Sequence, residues 1–524
     1  IRERLFGGAI YFPLGFQLID EQLVVTENLS DEPSIRRGDV IKSINQIPSE
    51  QLLDSLKTIA KVDGDNRSPI SDYLSLDEFG VTRWEAFDLY FHLFFGVDET
   101  FQVQVAHGKE TKNYTFPALT KKDRMDRYKG KPLGRWDLTF DDTKAIMKLG
   151  TFATWNWKDF DYNAWFQNAF SKIDSADSDH LIVDLRGNGG GLGEIRTALM
   201  SYLIKTPLEC QEETNILVRA TKVNEKFKPY IDTWVDWLFT GLTKDNYTPY
   251  DDQYFALEEG EQCITIQPKA KGFDGPVYFL GGPSNVSATF RLLEATKELE
   301  HTYFIGSETG GNQQGINGGE YLFFYLPYSG MEIDIPLKYF YGGPGRMNAG
   351  IQPDFTVKPS KEAVARNQDL HMELVDHLIA HQNKVTEKYV FSLLESENWT
   401  GKLSYLDYQS GNMISIPASL KAYRPQANTI TVEYLYPEEP HMNAKESMHL
   451  DLMNHVIEGR RITHVENSDG LLTIIAEQKS EDNGKKIDLR FTYKISSDAL
   501  SIQRAFKNEG ETAYTIRNTY DFQR

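Results

Sequence analysis

HLIVDLRGNGGGLGEIRTALM, residues 180–200, decides how the rest of the chain is read. The first six residues form a short apolar run rich in branched side chains, the pattern of a strand buried on both faces. Three consecutive glycines, Gly189 to Gly191, follow, and then a helical segment from Glu194. A buried strand feeding a glycine-rich loop and a helix is the element order of an α/β layer. A dinucleotide loop needs a third glycine at fixed spacing, and Leu192 or Glu194 stands where it would fall. What the glycines do supply is backbone freedom and bare N–H groups, the material of an oxyanion hole.

The same alternation extends to both sides. KAIMKLGTF (144–152) and a helix around Tyr162 to Ile173 precede this stretch, and the apolar run VYFLGGP (277–283) follows it. SNVSATFRLL (284–293) then offers Ser284 and Ser287 where a strand hands over to a helix. A serine at a helix start lies among unsatisfied N–H groups that attract negative charge, and it also suits the plain role of N-cap.

Composition narrows the function classes. The 524 residues are 40% hydrophobic, enough for about three domains. Lys and Arg number 56 against 76 Asp and Glu, so 56 − 76 gives −20, and nucleic acid is a poor partner for such a chain. The longest apolar stretches, such as YLFFYLP (321–327), are strand-sized, so no membrane span is expected. The chain starts at Ile1 rather than Met, which carries the expectation of a removed leader, with an anchor ahead of Ile1 compatible with it. Cys210 and Cys263 are too few for a disulfide scaffold or a cysteine zinc site; one bridge and two buried thiols both remain open.

The ends of the chain differ from its middle. Near the start, YFPLGFQL (11–18), LVVTEN (23–28) and IRRGDVIKSINQIP (35–48) read as short strands with a turn at Gly38-Asp39. SEQLLDSL reads as a helix with Ser49 as N-cap, and WEAFDLYFHLFFG (84–96) as an inserted helix. From about Val385, strict alternation takes over: Ile487, Leu489, Phe491, Tyr493 and Ile495 are interleaved with polar residues. Similar runs, separated by turn pairs such as Asp469-Gly470 and Asn483-Gly484, predict an up-and-down antiparallel β-barrel. His377 and His381 lie four apart on a helix, but Leu-Ile-Ala between them lacks the glutamate of a zinc-protease helix, so no metal is expected.

Four motifs occur in order: DLRGNGGG (184–191), VYFL leading into SNVSATF, YFIG leading into SETGGN (307–312), and GIQPDFTV (350–357). Together they resemble the C-terminal processing (tail-specific) serine peptidases and their tricorn-type relatives, over about residues 11 to 360. Pro13-Leu14-Gly15-Phe16 and the G-D-x-I-x-x-I-N pattern from Gly38 resemble a PDZ domain, in which a peptide adds as a strand. A small β-domain with no ligand is the plainer reading of that part. The resemblance implies a multidomain α+β chain. Its parts are a PDZ-like domain (1–120) with a helical insertion and an α/β peptidase core of ClpP/crotonase-like type (121–384), to which the alternation pattern alone adds a barrel that looks lipocalin-type (385–524).

Residue by residue, the resemblance implies Ser287 as nucleophile and the amides of Gly191 and Ala288 as the oxyanion hole. Gly15, Phe16, Gly190, Asn312 and Gln313 would bind substrate, with Asn317 also lining the cleft. Two positions depart from the family pattern. Asn312 occupies the place of the usual general-base lysine, and RMNA (346–349) that of the tricorn-type glutamate. Lys148 matches the tricorn-type histidine and is the candidate base. His180 and His301 sit at strand starts with no motif behind them. The implied activity is an extracytoplasmic serine endopeptidase, in the periplasm, cell envelope or secreted, needing no cofactor and acting on unfolded or C-terminally presented polypeptide. The alternative is a family member that lost its base and only captures peptide or ligand. A third reading places the function in the barrel.

Overall fold

The structure, a computed structural model, describes residues 10–76, 86–96, 99–128, 136–209, 215–258, 265–297, 299, 301–380, 387–407, 411–426, 429–452, 456–468, 470–482, 485–508, 511 and 513–524. Cys210, Cys263, His381, Asp469, Asn483 and Gly484 lie outside them. Two compact units divide the chain, Ile1–Glu373 and Leu374–Arg524.

The centre of the first unit is a six-stranded sheet. In spatial order its strands are Phe355–Thr356, Thr302–Gly306, Val277–Gly281, His180–Asp184, Lys144–Leu149 and Trp136–Asp141. All neighbours run parallel except the last pair. Every residue of His180–Asp184 and Val277–Gly281 is buried, which is why their central residues are apolar on both faces rather than alternating. Ala145, Met147, Leu149, Leu181, Val183, Val277 and Phe279 form one core with the helices Tyr162–Ser175, Gly193–Met200 and Ser287–Thr296. The Tyr162 helix starts where Asp161 accepts from the N–H groups of Asn163 and Ala164, satisfying two orphan donors of its first turn.

A second six-stranded sheet is built around the hairpin Gly315–Tyr325 and Glu332–Tyr341, which grows directly out of the loop carrying Asn312. Alternation in this region was not read from the sequence, because the run is aromatic on both sides of the strand.

The N-terminal sheet orders its strands as Leu14–Ile19, Gln22–Asn28, Val40–Ile44, Thr100–His107 and Glu110–Pro117, with Ile47–Pro48 pairing off the third. The turn at Gly38-Asp39 forms with Gly38 at φ +84°, and the Asp39 carboxylate accepts from the Arg36 N–H at 2.9 Å. The inserted helix spans Ala86–Phe95. One expectation is corrected here. Ser49 is not a cap: Pro48 holds the N-cap position, and the Ser49 hydroxyl donates instead to the Ile41 carbonyl at 2.8 Å. A nearby strand carbonyl competes successfully with the helix N–H groups for a short hydroxyl.

In the second unit, ten strands between Ser396 and Gln523 close into a barrel in sequence order. The first strand, Ser396–Leu406, pairs with the last, Thr515–Gln523, in a register that sets Leu403 opposite Tyr520, so the ring has no open edge. The alternating residues Ile487, Leu489, Phe491, Tyr493 and Ile495 all enter one buried cluster, as the period of two requires. That cluster also takes in Val390, Phe391 and Leu394 from the helix Glu387–Leu394 and the fully buried Trp399. The Trp399 indole donates to the Leu394 carbonyl at 2.7 Å, and the Arg524 guanidinium lies 4.4 Å above its ring. Trp399→Ala removes packing, a satisfied donor and a cation–π contact together. It is expected to destabilise the C-terminal unit by about 3–5 kcal/mol, read as a lowered urea midpoint of that transition.

Candidate active site

The site forms where the central strands end. Arg186, at the mouth of the glycine loop, is held twice: Nε and Nη2 donate to the two oxygens of Asp184, each at 2.9 Å, and Nη1 donates to Asp369 at 2.8 Å. Beyond it, the buried Asn188 fixes the loop. Its Nδ2 donates to the Leu149 carbonyl at 2.7 Å and its Oδ1 accepts from the Gly190 N–H at 2.9 Å. Gly190 and Gly191 take φ values of +95° and +142°. Phe152 pairs alongside Gly191: the Phe152 N–H donates to the Gly190 carbonyl and the Leu192 N–H to the Phe152 carbonyl, both at 3.0 Å. A Cβ on Gly191 would overlap the Phe152–Ala153 peptide.

The helix Ser287–Thr296 begins without a side-chain cap. Val286 occupies the N-cap position, and Ser287 is the first helical residue, at φ +53°. A non-glycine residue in that region costs on the order of 1–3 kcal/mol, so the surroundings must impose it. They do so through Asn285, which is buried. Its Nδ2 donates to the carbonyls of Leu185 at 2.7 Å and Asn188 at 3.0 Å, and its Oδ1 accepts from the Gly282 N–H at 2.7 Å. The Asn285 carbonyl in turn accepts from the Gly310 N–H at 3.1 Å.

The glycine loop and this helix meet. A Cβ on Gly190 would stand 2.8 Å from the Ser287 Cβ and 3.0 Å from the Ala288 nitrogen. Among the described residues, the Ser287 hydroxyl and the amides of Gly191 and Ala288 have no hydrogen-bond partner. The N-cap reading of Ser287 is therefore not the one realised; the hydroxyl caps nothing. Ser284, by contrast, donates to the Asp72 carboxylate at 2.6 Å. A free hydroxyl beside two free amides can attack an acyl carbon and hold the resulting oxyanion.

The other sequence-derived candidates sit differently. Lys148 is half-buried on the strand Lys144–Leu149, in register with Asp184. Successive residues of a strand point to opposite faces, so Lys148 leaves the sheet on the face opposite Met147 and Leu149, which pack with the Ser287 helix. Asn312 is buried and committed: its Nδ2 donates to the Asp63 carbonyl at 2.9 Å and to Asn348 Oδ1 at 2.6 Å, and its Oδ1 accepts from the Gln314 N–H at 2.9 Å. Gln313 donates to the Gly350 carbonyl at 2.8 Å. Asn66 clamps the same loop by donating to the carbonyls of Thr309 and Gly311. Gly15 and Phe16 lie on the strand Leu14–Ile19 at one end of the N-terminal sheet. Both main-chain groups of Phe16 pair with Leu76 at 2.8 Å, and the Leu18 N–H donates to the Ser75 hydroxyl. His180 starts its strand in a buried position, and burial lowers its pKa. His377 lies on the helix Leu370–Ala380.

Sequence reasoning missed Asn188, Asn285 and Thr289, whose bonds link residues about a hundred positions apart. It also missed His371, 4.0 Å from Asp369. Burial drives the His371 imidazole down to about 4, the Arg186 charge adds to that, and Asp369 and Asp184 oppose it. Burial raises the Asp369 carboxyl, but Arg186 outweighs it and leaves the group below its usual value. Unfolding returns His371 to about 6.5, so between about pH 4 and 6.5 the unfolded chain binds a proton that the folded one refuses. Stability must fall as pH drops through that window. Urea unfolding of the parent and of His371→Asn is expected to show a shallower pH slope in the variant, by at most about 1.4 kcal/mol per pH unit.

The arrangement defines a class, a layered α/β domain with a serine at the start of a helix beside a glycine loop. Residues 145–357 match the model of peptidase family S41, so the chain carries an S41 family peptidase domain. Among solved structures, mature CPAF aligns at 13% identity with a TM-score of 0.46, covering 72% of this chain and 84% of that one. The photosystem II D1 C-terminal processing protease aligns at 15% identity with a TM-score of 0.30, covering 67% and 76%. No curated protein sequence matches the chain.

Proposed function

We propose that the chain is a serine endopeptidase of the C-terminal processing type, acting on unfolded or C-terminally presented polypeptide. The observation that carries this is the convergence of Gly190 and Gly191 with Ser287 and Ala288, two free amides beside a free hydroxyl. In this reading Ser287 Oγ adds to a peptide carbonyl carbon and the hydroxyl proton passes to a base. The amides of Gly191 and Ala288 hold the oxyanion until the amine leaves with a proton. Lys148 is the base candidate that the family pattern leaves, on the strand beside His180–Asp184. The N-terminal sheet reads as PDZ-like, with domain limits as the motifs suggest. Because Leu76 already pairs with Phe16, substrate is received at the cleft rather than as an added strand at that edge. An extracytoplasmic setting follows from the same family pattern, and no described helix is long and apolar enough to cross a membrane.

A second reading is favoured by one observation. Asn312, at the usual lysine position, has its amide fully used by Asp63, Asn348 and Gln314 and accepts no proton. A chain with this site could capture polypeptide without turning it over. A fluorophosphonate probe combined with cleavage of an unfolded protein separates the two. Labelling at Ser287 with cleavage supports the peptidase, and peptide binding without either supports capture.

A further inference from the structure

The atom that joins the two sides of the site is Asn188 Oδ1. It accepts two hydrogen bonds, each at 2.9 Å: one from the Gly190 N–H and one from the Thr289 hydroxyl. Gly190 is the residue before Gly191, and Thr289 is the residue after Ala288. One buried oxygen therefore ties the immediate neighbours of both oxyanion donors. Asn188 and Thr289 are both fully buried, and the remaining polar groups of Asn188 are held by Leu149, Leu185 and Asn285. We propose that Asn188 and Thr289 are positioning residues that set the separation of the Gly191 and Ala288 amides. The proposal rests on the peptidase reading of Ser287 and adds to it the reason that the hole has a fixed width.

The physical argument is one of preorganisation. Main-chain donors stabilise a developing oxyanion only when they already stand at its position, and a donor displaced by a fraction of an ångström loses much of its effect. A glycine loop lacks the intrinsic stiffness to hold such a position. The Thr289 hydroxyl supplies it from the helix side, across 101 residues of sequence. Without that bond, Asn285 still ties the approach to the helix to the loop, but the link beside Ala288 is gone and the two amides hold their separation less closely. The ground state of the substrate, bound elsewhere in the cleft, is little affected, so the loss falls on kcat and not on KM.

Thr289→Val keeps the shape and deletes the donor, whereas Thr289→Ser keeps the donor. In the full chain, Thr289→Val is expected to lower kcat on an unfolded polypeptide about tenfold or more, with KM within about twofold. The rate constant of fluorophosphonate labelling is expected to fall by a similar factor, since that reaction also builds charge on an oxygen in the hole. Thr289→Ser is expected to restore both. Unchanged kcat and labelling rate in Thr289→Val overturn the proposal. So does a loss that Thr289→Ser fails to restore, or one matched by a fall in thermal stability with full activity per labelled site. Ser287→Ala distinguishes the two levels. If it cleaves at the parent rate, or if the parent neither cleaves nor labels, the peptidase reading fails and this inference with it. If Ser287→Ala is inert while Thr289→Val matches the parent, only the positioning role fails.

Discussion

Ser287→Ala is expected to abolish cleavage, with a fall in kcat of about a thousandfold or more, and to leave the fold as stable as before. The two halves of that expectation have different origins. Loss of a nucleophile removes the covalent route altogether, and serine hydrolases lose on the order of 10⁶ in kcat when the serine goes. Stability is spared because the Ser287 hydroxyl has no hydrogen-bond partner among the described residues and caps no helix. Its deletion strands no donor or acceptor, and alanine suits the site no worse in volume. Matched thermal melts alongside cleavage of an unfolded polypeptide check both halves. A variant that still cleaves at the parent rate removes Ser287 from the chemistry, and one that melts far earlier shows that the hydroxyl was structural.

Gly191→Ala carries the second large effect, through the backbone. At φ +142° an L-residue is strained, and the new methyl would overlap the Phe152–Ala153 peptide, which two main-chain hydrogen bonds hold against the loop. Something must move, and the nearest movable object is the loop that carries the amide. A loss of about 2–4 kcal/mol in unfolding free energy is expected, with activity down at least a hundredfold. Gly193→Ala is the control within the same loop. A Cβ there meets nothing within 4 Å, its φ is not positive, and it opens the helix Gly193–Met200. Near-parent activity in Gly193→Ala beside a collapsed Gly191→Ala separates backbone strain from a general intolerance of the glycine run.

The parts of the molecule legible in the sequence were those written in local pattern. His180–Asp184 and Val277–Gly281 announce themselves as buried strands because every residue is apolar or ends the run. The barrel is equally plain from Ile487 to Ile495, since a closed sheet with one filled side forces alternation. What stayed hidden was written in partners far apart along the chain. Asn188 looks like any loop asparagine until Thr289 and Asn285 arrive beside it. Ser287 reads locally as a cap and becomes the nucleophile only through the family motif, because nothing local reveals that Asn285 is pinned and that Ser287 itself is left-handed. Lys148 was reached by family position, and its strand parity, which sends it to the other face, depends on which side the helices pack. The fate of Asn312 was equally unreadable, because it is decided by Asp63 and Asn348.

Leu76, which bridges Phe16, bears on how the molecule meets other extended chains. An exposed row of main-chain donors and acceptors invites a loose strand to stack on it, and then another, until an ordered fibre grows. A protein that handled unfolded chains, as proposed above, would meet such strands constantly. By laying a buried leucine along the outermost ribbon of its first sheet, the chain has blunted that template at Phe16, where a fibre could otherwise take hold.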